Sequence, residues 1–166
     1  GASMDLGANA VADTHIATLD FEIWAATDLH DISFGLANGG TAESWGDFEA
    51  YIALVGSDIV ARNGGSVEVI SAGTVTAGTV FQIKIIADLG TDTYDVYVDG
   101  SLAADDFGFR NGLDAKDLNA LKIYGWGGNS SDDYVAVDNI YLTSQVPEPV
   151  SLAILGLGAL LIRRKR

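Results

Sequence analysis

The chain has no cysteine, only two prolines and two histidines, and only nine basic residues among its 166. Each scarcity excludes something. Without cysteine there is no disulfide scaffold, thiolate metal site or cysteine nucleophile, although the compartment is left open. His15 and His30 have no second histidine at i+4 and no carboxylate at metal-ligand spacing, so no zinc motif is present. Both read as surface or turn residues. A Gly-x-Ser-x-Gly elbow and a Gly-rich phosphate loop are also missing.

The bases are clustered as well as few. Arg163, Arg164, Lys165 and Arg166 are the last four residues, which leaves five bases against 23 acids. A body so acidic repels phosphate backbones and excludes a nucleic-acid partner. It reads as a solvated surface that can also attract cations. No basic-then-apolar leader opens the chain. Gly1-Ala2-Ser3-Met4 is read as a cloning scar or as the start of a fragment or processed form, with any export signal upstream.

What is present is apolar and alternating. Hydrophobic residues make up 48%, enough for one packed domain and too many for a disordered polyelectrolyte. Ala17, Leu19, Phe21 and Ile23 alternate with Thr18, Asp20, Glu22 and Trp24, the period-two mark of a half-buried strand. Phe81 to Leu89 repeats the pattern, with Ile86 as the exception. Tyr94, Val96 and Val98 lead into Asp99-Gly100, a tight-hairpin signal. Further strands are expected over Ile32–Ala37, Phe48–Val55, Ile59–Arg62, Ser66–Ser71, Leu121–Trp126 and Tyr134–Leu142. Asp114–Asn119 is the one expected helical turn in this region. The fold class expected for residues 1–145 is all-β, an antiparallel β-sandwich.

Residues 146–166 form a separate unit. Val146-Pro147-Glu148-Pro149 holds both prolines and breaks any strand before it. The 13 apolar residues Val150–Ile162 follow, then the four bases. As a short C-terminal hydrophobic helix this run is about 20 Å long, against a hydrocarbon core of about 30 Å. A buried core helix and an ordinary tail anchor are the competing readings.

These three ordered elements resemble the PEP-CTERM sorting signal, with Ser151 one place later than the usual Ser or Thr. The resemblance implies an exosortase as transient partner and a tail in the inner membrane. It further implies export to the cell surface or exopolysaccharide matrix of a Gram-negative bacterium. Phe81–Gly100 and Val137–Tyr141 are similar to the central hairpin and last strand of concanavalin A-like (laminin G-like) jelly rolls.

Three chemical possibilities remain. Asp20, Glu22 and Trp24 share a strand face, where an aromatic ring beside hydrogen-bonding carboxylates suits a sugar; Trp45 and Trp126, in Gly-flanked loops, could extend that platform. Asp20 and Glu22 alone could be a glycosidase pair, but the third acid of the concanavalin-like pattern is replaced by Ile23-Trp24-Ala25-Ala26. Asn129, Asp132, Asp133 and Asp138 offer hard oxygen donors suited to calcium, without EF-hand spacing. No cofactor is otherwise expected. The resulting expectation is a non-enzymatic exported protein that binds polysaccharide or serves as a structural adhesion module. The alternative is a glycoside-active enzyme.

Overall fold

The computed structural model describes residues 2–6, 11–12, 15–27, 30–38, 45–111, 117–125 and 135–146. Thirteen strands are formed by these residues. They are β1 (Ala2–Asp5), β2 (Val11–Ala12), β3 (Ile16–Ala25), β4 (His30–Ala37), β5 (Phe48–Gly56), β6 (Asp58–Asn63) and β7 (Ser66–Ser71). The remainder are β8 (Val80–Asp88), β9 (Thr93–Val98), β10 (Ser101–Gly108), β11 (Asp117–Leu118), β12 (Ala120–Gly125) and β13 (Val135–Gln145). A six-stranded sheet has the order β1-β12-β4-β5-β6-β7, and a five-stranded sheet the order β10-β9-β8-β3-β13. A two-stranded ribbon pairs β11 with β2.

Alternation builds the sandwich. Along β3 every second residue is buried, so Ala17, Leu19, Phe21 and Ile23 face inward while Asp20, Glu22 and Trp24 face out. Ile83 and Ile85 of β8 and Val96 of β9 continue that inner face, and meet Phe34, Leu36, Ile52 and Leu54 from the six-stranded sheet in one cluster. Each fully buried aliphatic side chain contributes about 1.5–3 kcal/mol relative to exposure. Asp99-Gly100 turns β9 into β10 with both residues at positive φ, 49° and 78°, as a primed hairpin turn requires.

Some expectations are corrected, and others fall outside the described residues. Asp117 and Leu118, expected in a helical turn, instead pair as β11 with Ala12 and Val11. Strand β10 was not legible from its sequence. Two register shifts break its alternation, and Asp106 sits at φ 53°. Ala2–Asp5, which include three of the four residues read as a cloning scar or the start of a fragment or processed form, pair with Ile123–Ala120 as an edge strand. The described residues contain no α-helix, only a 3-10 turn at Trp45–Asp47, and no helix long and apolar enough to cross a membrane. The expected helix over Val150–Ile162 lies outside the described residues. The fold class is therefore corrected, for the described residues, to an all-β antiparallel sandwich with no α-helix, and the inner-membrane anchoring built on one is not carried further.

Candidate functional site

Two grooves lie on opposite outer faces of the sandwich. The first crosses the six-stranded sheet and has a volume of about 290 Å³. Its floor is set by strand register: Tyr124, Ser33, Ala53 and Val60 form one cross-strand row, and Lys122, Gly35 and Tyr51 the next. Gly35 has a physical reason. A Cβ there would strike the Ala50 carbonyl oxygen and come within 2.5 Å of Tyr51 Cβ, so only glycine lets Tyr51 cross β4.

A register shift between Leu36 and Ala37 on β4 places Phe48 opposite Ala37 and skips Glu49. The bulge brings Phe48 beside Tyr51, ring centroids 4.9 Å apart. Phe48, Tyr51, Ala53 and Val60 form a second buried cluster on this outer face, with Trp45 and Tyr124 packed against it. Trp45 meets Tyr51 edge-on at 6.3 Å. Burial raises the Tyr51 phenol above its ordinary range.

Two guanidiniums flank Trp45. Arg110 Cζ lies 3.8 Å from the ring centroid and Arg62 Cζ 4.7 Å. Arg110 Nη1 donates to the Trp45 carbonyl, and Asn111 Nδ2 donates to the Gly46 carbonyl at 3.1 Å, so the 3-10 turn is held from below. Burial lowers the Arg110 pKa, with the like charge of Arg62 adding to it; Tyr51, Glu49 and Asp47 act the other way.

Glu49, 3% exposed, accepts from Asn111 N–H at 3.1 Å and from Asn111 Nδ2 at 2.8 Å. Burial nevertheless pushes its pKa up. Lys122, fully buried, pairs with Asp47 at 3.2 Å between the rings of Phe48 and Tyr124.

Arg62 is fixed from inside the protein. The β5–β6 pairing ends at Ile52 and Ala61, and the next backbone groups are taken up by Tyr94, which reaches across the core from the other sheet. Its hydroxyl accepts from Arg62 N–H at 3.0 Å and donates to the Arg62 carbonyl, with the Tyr51 carbonyl 3.3 Å away as an alternative acceptor. Burial keeps this phenol well above the ordinary range and so in its donating form.

The second groove, about 300 Å³, lies on the five-stranded sheet and is lined by Gln82, Lys84, Ile86, Tyr97 and Gly100. Ile86, the exception to the alternation of β8, points into it. The expected sugar-binding residues Asp20, Glu22 and Trp24 lie on this sheet and face outward, but their carboxylates are engaged. Asp20 accepts from Gln82 Nε2 at 2.9 Å and sits 3.7 Å from Lys84 Nζ. Glu22 accepts from Asn139 Nδ2 at 2.8 Å. Trp45 is on the opposite sheet, so the structure separates it from those three, and Trp126 lies outside the described residues.

Of the expected calcium ligands, Asn129, Asp132 and Asp133 also lie outside the described residues. Asp138, on β13 opposite Glu22, accepts from the Asn139 amide at 2.7 Å. No group of three or more His, Cys, Asp or Glu among the described residues is placed to hold a metal. In the tail, Val146 is exposed, and Pro147, Glu148, Pro149, Arg163, Arg164, Lys165 and Arg166 lie outside the described residues.

Reasoning from the sequence missed Ser33, Tyr51, Arg62, Arg110 and Tyr124. Scarcity could have found the arginines, since they are the only two among the 162 residues before the basic end.

No family model matches the chain, and no curated protein matches it. The PEP-CTERM likeness therefore has no matching family behind it, and exosortase sorting is not carried further. Solved structures do match. A sialidase aligns with a TM-score of 0.58 at 11% identity, over 88% of this chain and 14% of its own, so the chain spans only a small part of that enzyme. Sheep galectin-11, solved with glycerol, aligns at 0.54 and 13% identity, over 81% of this chain and 94% of the galectin. The polysaccharide lyase family 7 alginate lyase AlgAT5 aligns at 0.52 and 19% identity, over 82% and 62%. At such identities the likeness is one of fold, and the fold is the jelly-roll β-sandwich shared by lectins and carbohydrate-active enzymes.

Proposed function

We propose that this domain binds carbohydrate without turning it over, and that its saccharide site is the groove on the six-stranded sheet. The observation that carries this is an apolar wall beside fixed polar groups in one groove. Tyr124, Val55 and Val60 offer surface for the C–H face of a sugar, while Arg62, Ser33 and Asp31 offer donors and acceptors for its hydroxyls. Trp45 serves the site as the platform under two guanidiniums, since Arg110 covers its ring at 3.8 Å.

The absence of turnover is supported by the lining itself. Glycoside hydrolysis ordinarily uses two carboxyl groups facing one bond. Among the described residues of this groove Asp31 is the only carboxylate. Glu49, nearby, is bonded to Asn111.

The test is retention of the purified protein on a saccharide array, repeated with Trp45→Ala and Trp24→Ala and paired with an assay for released reducing sugar. Trp45→Ala should weaken retention roughly ten-fold or more, on the scale of a lost cation–π platform. Trp24→Ala should leave it unchanged, and no reducing sugar should appear. Loss of retention on Trp24→Ala alone would move the site to the other face. Sugar release abolished by Asp20→Asn would favour an enzyme.

A further inference from the structure

We infer that the groove on the six-stranded sheet selects an anionic saccharide, one bearing a carboxylate or a sulfate, and that Arg62, which lines it, reads the charge, with Arg110 on the same tryptophan ring adding to the positive field. It rests on the carbohydrate reading above and names the class of sugar. The protein has 23 acidic residues and nine basic ones, so a base has carboxylates on almost every side to pair with. Of the four described bases, both lysines do so: Lys84 with Asp20 and Lys122 with Asp47. Among the described residues neither arginine has a carboxylate within ion-pair distance. Both are instead gathered on one tryptophan ring, at 3.8 and 4.7 Å.

Like charges are thus held together rather than dispersed. Among the described residues, the acids that act on Arg110 already have partners, since Asp47 faces Lys122 and Glu49 is bonded to Asn111. Each guanidinium offers five N–H donors in a planar fork that matches a carboxylate or sulfate. Arg62 uses one for the Gly65 carbonyl at 3.0 Å, and its Nε is buried with no hydrogen-bond partner. A buried donor left unpaired is costly, and natural proteins retain few. That Nε is shielded from the groove, so an anionic group entering it would be met by the other N–H groups of the guanidinium, and would relieve the repulsion between the two arginines.

The site is also set in advance. Tyr94 clamps the Arg62 backbone, and Trp45 fixes both side chains, so little ordering is left for the ligand to impose. The acidic body opposes an anion at long range, but that field is screened over about 8 Å at physiological salt, whereas the guanidinium contact is short. Selection should therefore be measurable in ordinary saline.

The experiment is calorimetric titration of the full chain in saline with three tetrasaccharides on one backbone. The first carries uronic acids, the second has its carboxyl groups reduced to neutral hydroxymethyls, and the third is the neutral one bearing sulfate esters. At least one acidic form should bind roughly ten- to hundred-fold more tightly than the neutral one, the scale of a charge-assisted hydrogen bond. The two acidic arms distinguish carboxylate from sulfate. Arg62→Gln and, independently, Arg110→Gln should bring the ratio of acidic to neutral affinity toward one, with Arg62→Lys between them and the parent. The thermal midpoint of each variant shows that it is folded.

Equal affinity for all three sugars in the parent would overturn the anionic selection and leave the carbohydrate reading standing. A preference that survives both glutamine variants would overturn it too, because the charge would then be read elsewhere. Binding of none of the three would remove both.

Discussion

On the outer face of the five-stranded sheet, carboxylates are engaged across strands: Asp20 is paired with Lys84 and accepts from Gln82, and Glu22 accepts from Asn139. On the outer face of the six-stranded sheet, Lys122 and Glu49 are likewise partnered, but Arg62 and Arg110 are stacked on Trp45 with no carboxylate of the described residues in ion-pair contact. Both faces carry a tryptophan and a groove. The difference lies in what surrounds the charges. One face is closed by its own pairs. The other has a buried aromatic cluster beneath it, and that cluster keeps side chains in place without neutralising them. Unpaired donors on a rigid support are what a ligand-binding face needs.

The sharpest way to break this comparison is to cut the tie between the core and the groove. Tyr94→Phe keeps the ring, and with it the contacts to Phe107 and Phe109, each at 6.2 Å. It removes only the hydroxyl, which leaves the Arg62 amide and carbonyl without their partner. The expected loss is about 1–3 kcal/mol of unfolding free energy, read from the urea midpoint. Amide NMR shifts should move at Tyr51 and Arg62 and stay put at Asp20 and Glu22. Equal movement on both faces would mean that Tyr94 supports the whole sandwich rather than the groove.

A second effect, in pH, belongs to the groove face alone. Burial raises the Glu49 pKa; the Asn111 hydrogen bonds and the charge of Arg110 only partly offset it, and Asp92 adds to the rise. A carboxyl whose pKa is higher folded than unfolded stabilises the fold below its unfolded pKa, and that contribution is lost as pH rises through the folded value. Stability of the parent relative to Glu49→Gln should therefore increase as pH falls from 7 toward the ordinary carboxylate range. Urea midpoints of both proteins at several pH values give that difference. A flat difference would show that Arg110 and Asn111 compensate the burial in full.

How much of this was legible in the sequence follows from the same physics. Strands β3, β8 and β9 are half-buried, so period two marks them plainly, and the outward placement of Asp20, Glu22 and Trp24 followed directly. Alternation says which residues point out. It does not say which sheet a strand joins, or whether its outward charges meet partners on the neighbouring strand. Gln82 and Lys84 were visible as outward residues of β8, yet their pairing with Asp20 depends on the β3–β8 register. The groove was hidden for a related reason. Its aromatic floor breaks the alternation, because β5 is buried on both faces from Phe48 to Leu54 and is bulged at Glu49. Arg62 and Arg110 come together only through the turn at Trp45, from positions far apart in the chain.

The smallest expected effect tests the closed face. Lys84 and Asp20 are 3.7 Å apart, with side-chain exposures of 42% and 24%. An ion pair so open to water gains little, because solvent screening offsets most of the attraction and ordering two side chains costs entropy. Asp20 also keeps its hydrogen bond from Gln82 Nε2 at 2.9 Å if the lysine is lost. Lys84→Met, which preserves the stem against Ile86 and Tyr97, should change unfolding stability by no more than about 0.5 kcal/mol. It should also leave saccharide retention as it was. A larger loss of stability would mean that the pairs on this face organise the sheet. A loss of retention would place a ligand in the groove beside Lys84, and the contrast between a closed face and a receptive one would no longer hold.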